Sequence, residues 1–186
     1  MIDPTAEVAP TATIGDRSQL WHYVHVREGA RIGSDCILGR DVYIDAGVVI
    51  GDRCKLQNGV MVYQPAVLED GVFLGPGVIL TNDRIPRAVH PDGALKAAGE
   101  WTAQPVTVRH GAAVGAGAVL VAGVTLGPWS LVGAGAVVTR DVPAHGLVVG
   151  NPGRLIGHVC RCGARLAGDP SRAKQVCATC GRENGA

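Results

Sequence analysis

The sequence predicts an all-β fold, in which a parallel β-helix of hexapeptide repeats is followed by a small C-terminal zinc ribbon. Three observations support it: an unbroken six-residue repeat of aliphatic residues from Ile2 to Leu80, its return from Val108 to Val138, and two closely spaced cysteine pairs near the C-terminus. A fixed period of this kind is interpreted first, because it defines the repeating structural unit.

The first repeat region carries Ile, Leu or Val at every sixth residue, and a small or β-branched residue four positions later. The aliphatic positions are Ile2, Val8, Ile14, Leu20, Val26, Ile32, Leu38, Ile44, Ile50, Leu56, Val62, Leu68, Leu74 and Leu80. A helix would place apolar residues three and four apart with a drift, whereas this period of six never drifts. A short strand that turns a corner every six residues points both positions inward. Three corners then close a triangular coil of eighteen residues, and successive coils stack in parallel at about 4.8 Å.

Composition limits the function classes. The chain has 186 residues, 47% of them hydrophobic, with 27 Gly and one Phe, which suits a narrow interior filled by aliphatic side chains. Lys and Arg number 17 and Asp and Glu 16, so no excess charge recruits nucleic acid or an anionic membrane. The N-terminal residues lack a basic region followed by an apolar run, and no stretch approaches a membrane span. We therefore expect a cytoplasmic protein with no nucleic-acid partner.

The repeat is interrupted at residues 81–107. Leu80 and Val108 are 28 residues apart, which is not a multiple of six, so the intervening segment must leave the prism as a loop. Loops of this length on a rigid scaffold are usually functional. We predict a β-helix domain at residues 1–157 with the excursion at 81–107, and a separate tail at residues 158–186.

The tail contains four cysteines with the spacing of a metal site. Cys160 and Cys162 form one pair, Cys177 and Cys180 the other, and each pair is followed by Gly. Four thiolates suit a tetrahedral structural Zn²⁺ and leave no open coordination position. Two disulfides or a disordered tail are the alternatives.

The two other cysteines belong to the repeat. Cys36 and Cys54 are eighteen residues apart at inward positions, so they are expected to stack one coil above the other. We interpret them as buried thiols that serve as small hydrophobic residues rather than as a redox pair.

Outward residues eighteen apart stand above one another, which defines two columns of polar positions. One column contains His22, Arg40 and Asn58, and the other contains Glu28, Ala46, Gln64 and Asn82. The second column ends where the excursion begins. Gln64 and Asn82 are therefore expected to share one cleft with the loop residues Asp83, Arg84 and Arg87.

Several segments resemble a known family. They are WHYVHV at 21–26, QN at 57–58, LEDGVFLGP at 68–76, TND at 81–83 with PR at 86–87, GAGAVV at 133–138 and VVGNP at 148–152. Together they resemble the hexapeptide-repeat acyltransferases that acetylate the 3-amino group of a nucleotide-linked sugar, such as UDP-2-acetamido-3-amino-2,3-dideoxyglucuronate. The resemblance covers residues 1–157.

This resemblance implies a left-handed β-helix that assembles as a homotrimer with active sites between subunits. Acetyl-CoA is expected along the C-terminal coils and the nucleotide-sugar towards the N-terminal ones. The substrate-binding candidates are His22, His25, Asn58, Arg84 and Arg87. For the cosubstrate, small residues such as Ala116 and Ala134 admit the pantetheine, and Arg140 and Arg154 meet its phosphates.

The catalytic candidates are Asn82, Asp83 and Gln64. Asn82 is assigned to orienting the amine or polarising the thioester carbonyl. Relatives commonly carry an acidic residue where this chain has Gln64, and an amide cannot act as a general base. Either no protein base is needed, or Asp83 serves, or the acceptor differs. His90 and His110 are rival bases, because other hexapeptide acetyltransferases use a loop histidine.

Two other functions use the same fold. A γ-type carbonic anhydrase needs histidines from two subunits around a catalytic zinc, and the six histidines of this chain do not show that arrangement. A non-catalytic trimeric scaffold that binds ligands stays open, because Gln64 and the added cysteine tail are both compatible with lost activity.

Overall fold

The regular structure consists almost entirely of two-residue strands, which pair in parallel to form the three sheets of a triangular prism. The computed structural model describes residues 1–97 and 99–185. Sheet I contains, in spatial order, β1 (Glu7–Val8), β4 (His25–Val26), β7 (Tyr43–Ile44), β10 (Met61–Val62), β13 (Ile79–Leu80), β16 (Val119–Leu120) and β19 (Val137–Val138). Sheet II contains β2 (Thr13–Ile14), β5 (Arg31–Ile32), β8 (Val49–Ile50), β11 (Val67–Leu68), β14 (Thr107–Val108) and β17 (Thr125–Leu126).

Sheet III closes the triangle and extends it at the C-terminal end. It contains β3 (Gln19–Leu20), β6 (Ile37–Leu38), β9 (Lys55–Leu56), β12 (Phe73–Leu74), β15 (Ala113–Val114), β18 (Leu131–Val132), β20 (Gly146–Val149) and the antiparallel β21 (Arg154–His158). Every third strand joins the same sheet, which confirms the predicted β-helix of hexapeptide repeats. Within residues 1–97 and 99–185 there is no helix, and so none that is long and apolar enough to cross a membrane.

The register of the coils is eighteen residues except at the excursion and in the last coil, where Leu131 pairs with Leu147 at an offset of sixteen. In sheet I, Met61 pairs with Tyr43 on one side and with Ile79 on the other. Ile79 then pairs with Val119, so the ladder continues across a jump of forty residues without a change of face. The segment between Leu80 and Thr107 is therefore inserted into one corner and leaves the coils on either side in register.

The core is a continuous stack of aliphatic side chains inside the prism. The large residues Leu20, Leu38, Leu56 and Leu74 of sheet III are each 0% exposed, and their smaller corner partners are buried beside them. Burial of each such side chain stabilises the folded state by about 1.5–3 kcal/mol. The prism depends on this burial because each two-residue strand contributes few hydrogen bonds.

The repeat cysteines Cys36 and Cys54 are buried in this stack, as predicted. Each thiol donates to a backbone carbonyl of the next coil, Cys36 to Gly51 and Cys54 to Glu69, both at 3.2 Å. These contacts satisfy the only polar atom of each side chain, so both residues act as core components.

The corner between sheets II and III shows why glycine is required at one position. Gly111 has φ +66°, and a Cβ there would lie 2.6 Å from the ring of Trp129. The close ring excludes a larger residue, whereas the left-handed conformation alone does not, since Trp129 itself has φ 58° at the equivalent position of the next coil. Trp129 also packs edge-on against His110, with ring centroids 5.1 Å apart.

The C-terminal segment folds back on the last coil. Strand β21 pairs with β20, and the chain then continues through a reciprocal contact in which Val159 N donates to the His145 carbonyl at 2.7 Å and His145 Nδ1 donates to the Val159 carbonyl at 2.8 Å. The Arg161 guanidinium lies over the Trp129 ring at 5.5 Å. These contacts attach the cysteine tail to the prism at the corner between sheets II and III.

The tail brings its four cysteines together. Its two-stranded sheet consists of β22 (Gln175–Val176) and β23 (Glu183–Asn184). The sulfur atoms of Cys160, Cys162, Cys177 and Cys180 all lie within 4.8 Å of one another, and none is in a disulfide. The separations are 3.6 Å for Cys160 and Cys180 and 3.7 Å for Cys162 and Cys177. A tetrahedral zinc with bonds of about 2.3 Å requires sulfur separations of about 3.8 Å, so the cluster fits zinc.

Two serines at equivalent inward positions give a test of the packing. Ser18 Oγ donates to the Gly33 carbonyl at 2.8 Å and accepts from Cys36 N at 3.0 Å. Ser130 Oγ is buried and has no partner among the described residues. We expect Ser130→Ala to raise the free energy of unfolding by about 1 kcal/mol and Ser18→Ala to lower it by about 1 kcal/mol. Chemical denaturation checks both, and a loss of stability in Ser130→Ala equal to that in Ser18→Ala would contradict the assignment.

A second test concerns the metal. We expect about one zinc ion per chain in protein purified without chelators, because four thiolates at these separations form a closed site. Cys177→Ser removes one ligand and should reduce the bound zinc to near zero. Cys36→Ala removes a thiol outside the cluster and should leave the metal content unchanged. Elemental analysis of the three proteins measures this, and zinc-free wild-type protein would refute the site.

Candidate functional site

The excursion has a defined backbone structure of its own and is not an irregular loop. Gln104 N donates to the Asn82 carbonyl at 2.9 Å, which ties the end of the loop to its beginning. Between these points Val89 bridges to Leu95, and Lys96 N donates to the Ala88 carbonyl at 3.0 Å. The excursion thus contains a small antiparallel hairpin whose tip is the turn at residues 90–94.

A carboxylate fastens this hairpin. Glu100 accepts from Ala97 N at 2.5 Å and from His90 Nε2 at 3.1 Å. The Ala97 N–H, and after it the His90 ring, lower the pKa of the Glu100 carboxyl below its ordinary value. Glu100 is therefore ionised at neutral pH and can hold His90 in place.

The excursion forms an open cavity of about 630 Å³ at the corner between sheets I and II. Three predicted residues line it: Asn82, Asp83 and Arg87. Lys96 and Trp101 also line it, and neither was among the predicted site residues. The sequence shows only that Lys96 and Trp101 lie in a long loop. Because the loop has no repeat, the sequence does not indicate which of its side chains line a cavity.

A second cavity of about 330 Å³ adjoins the first and contains the predicted residue Arg84. Asp83, Arg87, Lys96 and Trp101 line both cavities, so these four side chains separate the two. Neither rival base lines either cavity. His90 is engaged with Glu100, and His110 packs on Trp129 at the corner between sheets II and III.

Asn82 has a defined amide orientation. Its side-chain nitrogen Nδ2 donates to the Gln64 carbonyl at 2.8 Å, in agreement with their spacing of eighteen residues. A backbone carbonyl can only accept, so this contact fixes which end of the amide is nitrogen. The Asn82 Oδ1 atom has no hydrogen bond with the described residues, so it remains available as an acceptor in a residue that lines the cavity. Gln64 takes part through its backbone, and its side chain is exposed.

The other polar column lies at a different corner, between sheets III and I. His22, Arg40 and Asn58 line a cavity of about 320 Å³ there, together with Trp21. Asn58 Oδ1 accepts from Arg40 N at 3.0 Å, so the carbonyl end of this amide is engaged within the corner. Within one chain, these residues do not line the same cavity as Asn82.

The predicted pantetheine residues continue this second column. Backbone hydrogen bonds connect Asn58 to Gly77, Pro76 to Gly117 and Ala116 to Gly135, and Ala116 and Ala134 are both exposed along it. This corner therefore carries small side chains in its C-terminal coils and polar side chains in its N-terminal coils.

The remaining predicted residues line none of these three cavities. His25 is exposed on sheet I, with its ring 5.5 Å from that of Tyr43. Arg140 is exposed at the corner between sheets I and II, above the coil that carries the excursion. Arg154 begins β21 and donates from Nη1 to the Gly153 carbonyl at 3.1 Å.

Two family models match the repeats and leave out the excursion. The family described as "Bacterial transferase hexapeptide (six repeats)" matches residues 11–46 and 47–82. The family described as "Hexapeptide repeat of succinyl-transferase" matches residues 29–64 and 105–140. Residues 83–104 fall between these matches.

Similar proteins are sugar N-acetyltransferases. A curated relative, dTDP-3-amino-3,6-dideoxy-alpha-D-galactopyranose 3-N-acetyltransferase of Aneurinibacillus thermoaerophilus, is 39% identical over 59 residues, which is 32% of this chain and 31% of the relative. A GDP-perosamine N-acetyltransferase variant from Caulobacter crescentus, solved with CoA and GDP-perosamine, is 25% identical with a TM-score of 0.54. That match covers 84% of this chain and 55% of the transferase.

A third similarity concerns the fold alone. A hexapeptide-repeat acetyltransferase of Vibrio cholerae, solved with acetyl-CoA, is 23% identical with a TM-score of 0.56, covering 78% of this chain and 69% of that one. The chain spans about a third of the curated relative and about half of the perosamine transferase. The six-residue repeat, the three-sheet prism and the two family matches, which together cover residues 11–82 and 105–140, identify the chain as a hexapeptide-repeat protein whose repeats are those of bacterial transferases.

Proposed function

We propose that the protein is an acetyl-CoA-dependent N-acetyltransferase that acylates the 3-amino group of a nucleotide-linked aminosugar. The observation that carries the proposal is Asn82, which is held by the Gln64 carbonyl, lines the excursion cavity, and keeps its amide oxygen free of hydrogen bonds with the described residues. The curated relative, which is named for 3-N-acetylation of a dTDP-linked aminosugar, supports the substrate class.

The chemistry requires placement more than activation. The neutral amine attacks the thioester carbonyl, the new N–C bond forms, and the C–S bond breaks to release CoA thiolate. The nitrogen loses one proton, which the thiolate takes up directly or through a carrier. Because Asn82 Oδ1 is an acceptor, it suits an amine N–H and can direct the nitrogen lone pair towards the thioester. The orientation therefore favours amine positioning over polarisation of the carbonyl.

Asp83 is the carrier that we propose for this proton. Its carboxylate lines both loop cavities, and its Oδ1 atom accepts from Ile85 N at 2.9 Å, which holds the side chain in the loop. In this proposal Gln64 contributes only its backbone carbonyl, so its side chain need not accept a proton and can be an amide.

We also propose a homotrimer, because one chain separates the residues that the reaction needs. The excursion cavity contains Asn82 and Asp83, whereas His22, Asn58 and Ala116 lie at another corner. A second copy placed beside the excursion would supply its corner between sheets III and I, with the sugar near His22 and the pantetheine along Ala116 and Ala134. Arg140 and Arg154 are the proposed phosphate contacts of acetyl-CoA.

The proposal is tested by thiol release from acetyl-CoA with a panel of UDP- and dTDP-linked 3-aminosugars. Acetyl transfer to a 3-amino sugar is the expected result. No release with any sugar, in protein that still binds nucleotides, would favour the non-catalytic scaffold. Release with other amines only would assign a different acceptor.

Asn82 and Gln64 form a matched pair for the mechanism. Asn82→Ala should lower kcat by about a hundred-fold, since one oriented polar contact in the transition state is lost, and leave KM for acetyl-CoA little changed. Gln64→Ala keeps the backbone carbonyl and should cost much less. Steady-state kinetics of both variants measure the difference. Near-normal kcat in Asn82→Ala, with activity abolished in His90→Ala or His110→Ala, would reverse the assignment.

The assembly has its own test. Analytical ultracentrifugation should give about three times the chain mass of 19.1 kDa. Species of one or two chain masses at micromolar concentration would rule out a trimeric site.

A further inference from the structure

The four residues shared by the two loop cavities combine positive charge with one aromatic surface. Arg87 and Lys96 are cations, Asp83 is the single carboxylate, and Trp101 is 38% exposed. Arg84 adds a third positive charge in the smaller cavity. The lining therefore carries a net positive charge around an open indole.

These cations form no ion pair in the part of the chain that the structure describes. Arg84, Arg87 and Lys96 form no salt bridge with any residue in the described ranges, whereas Arg17, Arg27 and several other arginines of the prism pair with carboxylates. Cations grouped around one open cavity raise the local concentration of anions there. A diphosphate group matches three adjacent positive side chains.

The hairpin of the excursion holds this arrangement in place before any ligand arrives. Lys96 is attached through its backbone to Ala88, and Glu100 fastens the turn through His90 and Ala97. A lysine and an indole fixed on a folded loop lose little conformational freedom on binding. This gives His90 a positioning role through the loop rather than a role as a base.

We propose that the excursion forms a nucleoside-diphosphate subsite, in which Arg87 and Lys96 bind the diphosphate and Trp101 stacks on the base. The inference rests on the proposed function, in which both the acetyl donor and the sugar acceptor carry a nucleoside diphosphate. The larger cavity extends from this subsite to Asn82, so the reactive end of the ligand points towards the free amide oxygen. A volume of about 630 Å³ is within the usual range for a ligand of this size.

The test separates the base from the diphosphate. Isothermal titration calorimetry of the full chain measures UDP, dTDP, adenosine 3′-phosphate 5′-diphosphate and inorganic pyrophosphate. Lys96→Ala should weaken both UDP and pyrophosphate by about ten-fold, because a charged contact is lost. Trp101→Ala should weaken UDP by about ten-fold and leave pyrophosphate unchanged, because only stacking is lost. Trp101→Phe should keep most of the affinity, and Lys55→Ala, on the outer face of sheet III, serves as the control for a lost surface charge.

The outcomes assign the ligand or overturn the subsite. Tighter binding of UDP or dTDP assigns the subsite to the sugar acceptor, and tighter binding of the adenosine compound assigns it to the acetyl donor. Unchanged UDP affinity in Trp101→Ala, or unchanged pyrophosphate affinity in Lys96→Ala, overturns it. Acetyl transfer with both variants unaffected would leave the proposed function intact without this subsite. Nucleotide binding without acetyl transfer would leave the subsite intact without the function.

Discussion

The constraint on which the whole structure depends is the backbone ladder between successive coils. Nearly every strand of the prism has only two residues and is not stable by itself, so it is fixed by the strands of the coils before and after it, most of them eighteen residues away. A shift of one residue would turn every inward aliphatic outward. The strict period of six in the sequence satisfies this constraint. It also aligns the corners of successive coils.

The ladder also explains why the fold and the position of the loop were predictable from the sequence, whereas the internal structure of the loop was not. Inward and outward positions, the stacking of Gln64 under Asn82, and the buried state of Cys36 and Cys54 all follow from one period. The excursion has no period, so its hairpin, the fastening of His90 by Glu100 and the place of Trp101 depend on contacts between residues whose spacing has no rule. The four tail cysteines were predictable because metal coordination supplies its own spacing rule.

The site follows the same division. The sequence indicated that Asn82 opens a cleft with Asp83 and Arg87, and the structure places all three on one cavity wall. It also assigned His22 and Asn58 to a separate column, and these residues line a cavity at another corner of the prism. Two columns on a triangular prism face different directions, and only a neighbouring copy can bring them together. Assembly is thus a requirement of the proposed chemistry and not an addition to it.

The register jump at Ile79 has a consequence for how this fold changes. The two ends of the excursion leave and re-enter one corner, while the ladder above and below continues as if a four-residue turn were present. Closing a loop about six times longer than such a turn costs only about 2 kcal/mol more in chain entropy. The prism therefore tolerates replacement of the excursion as a unit, and ligand preference can diverge between relatives while the core residues stay the same.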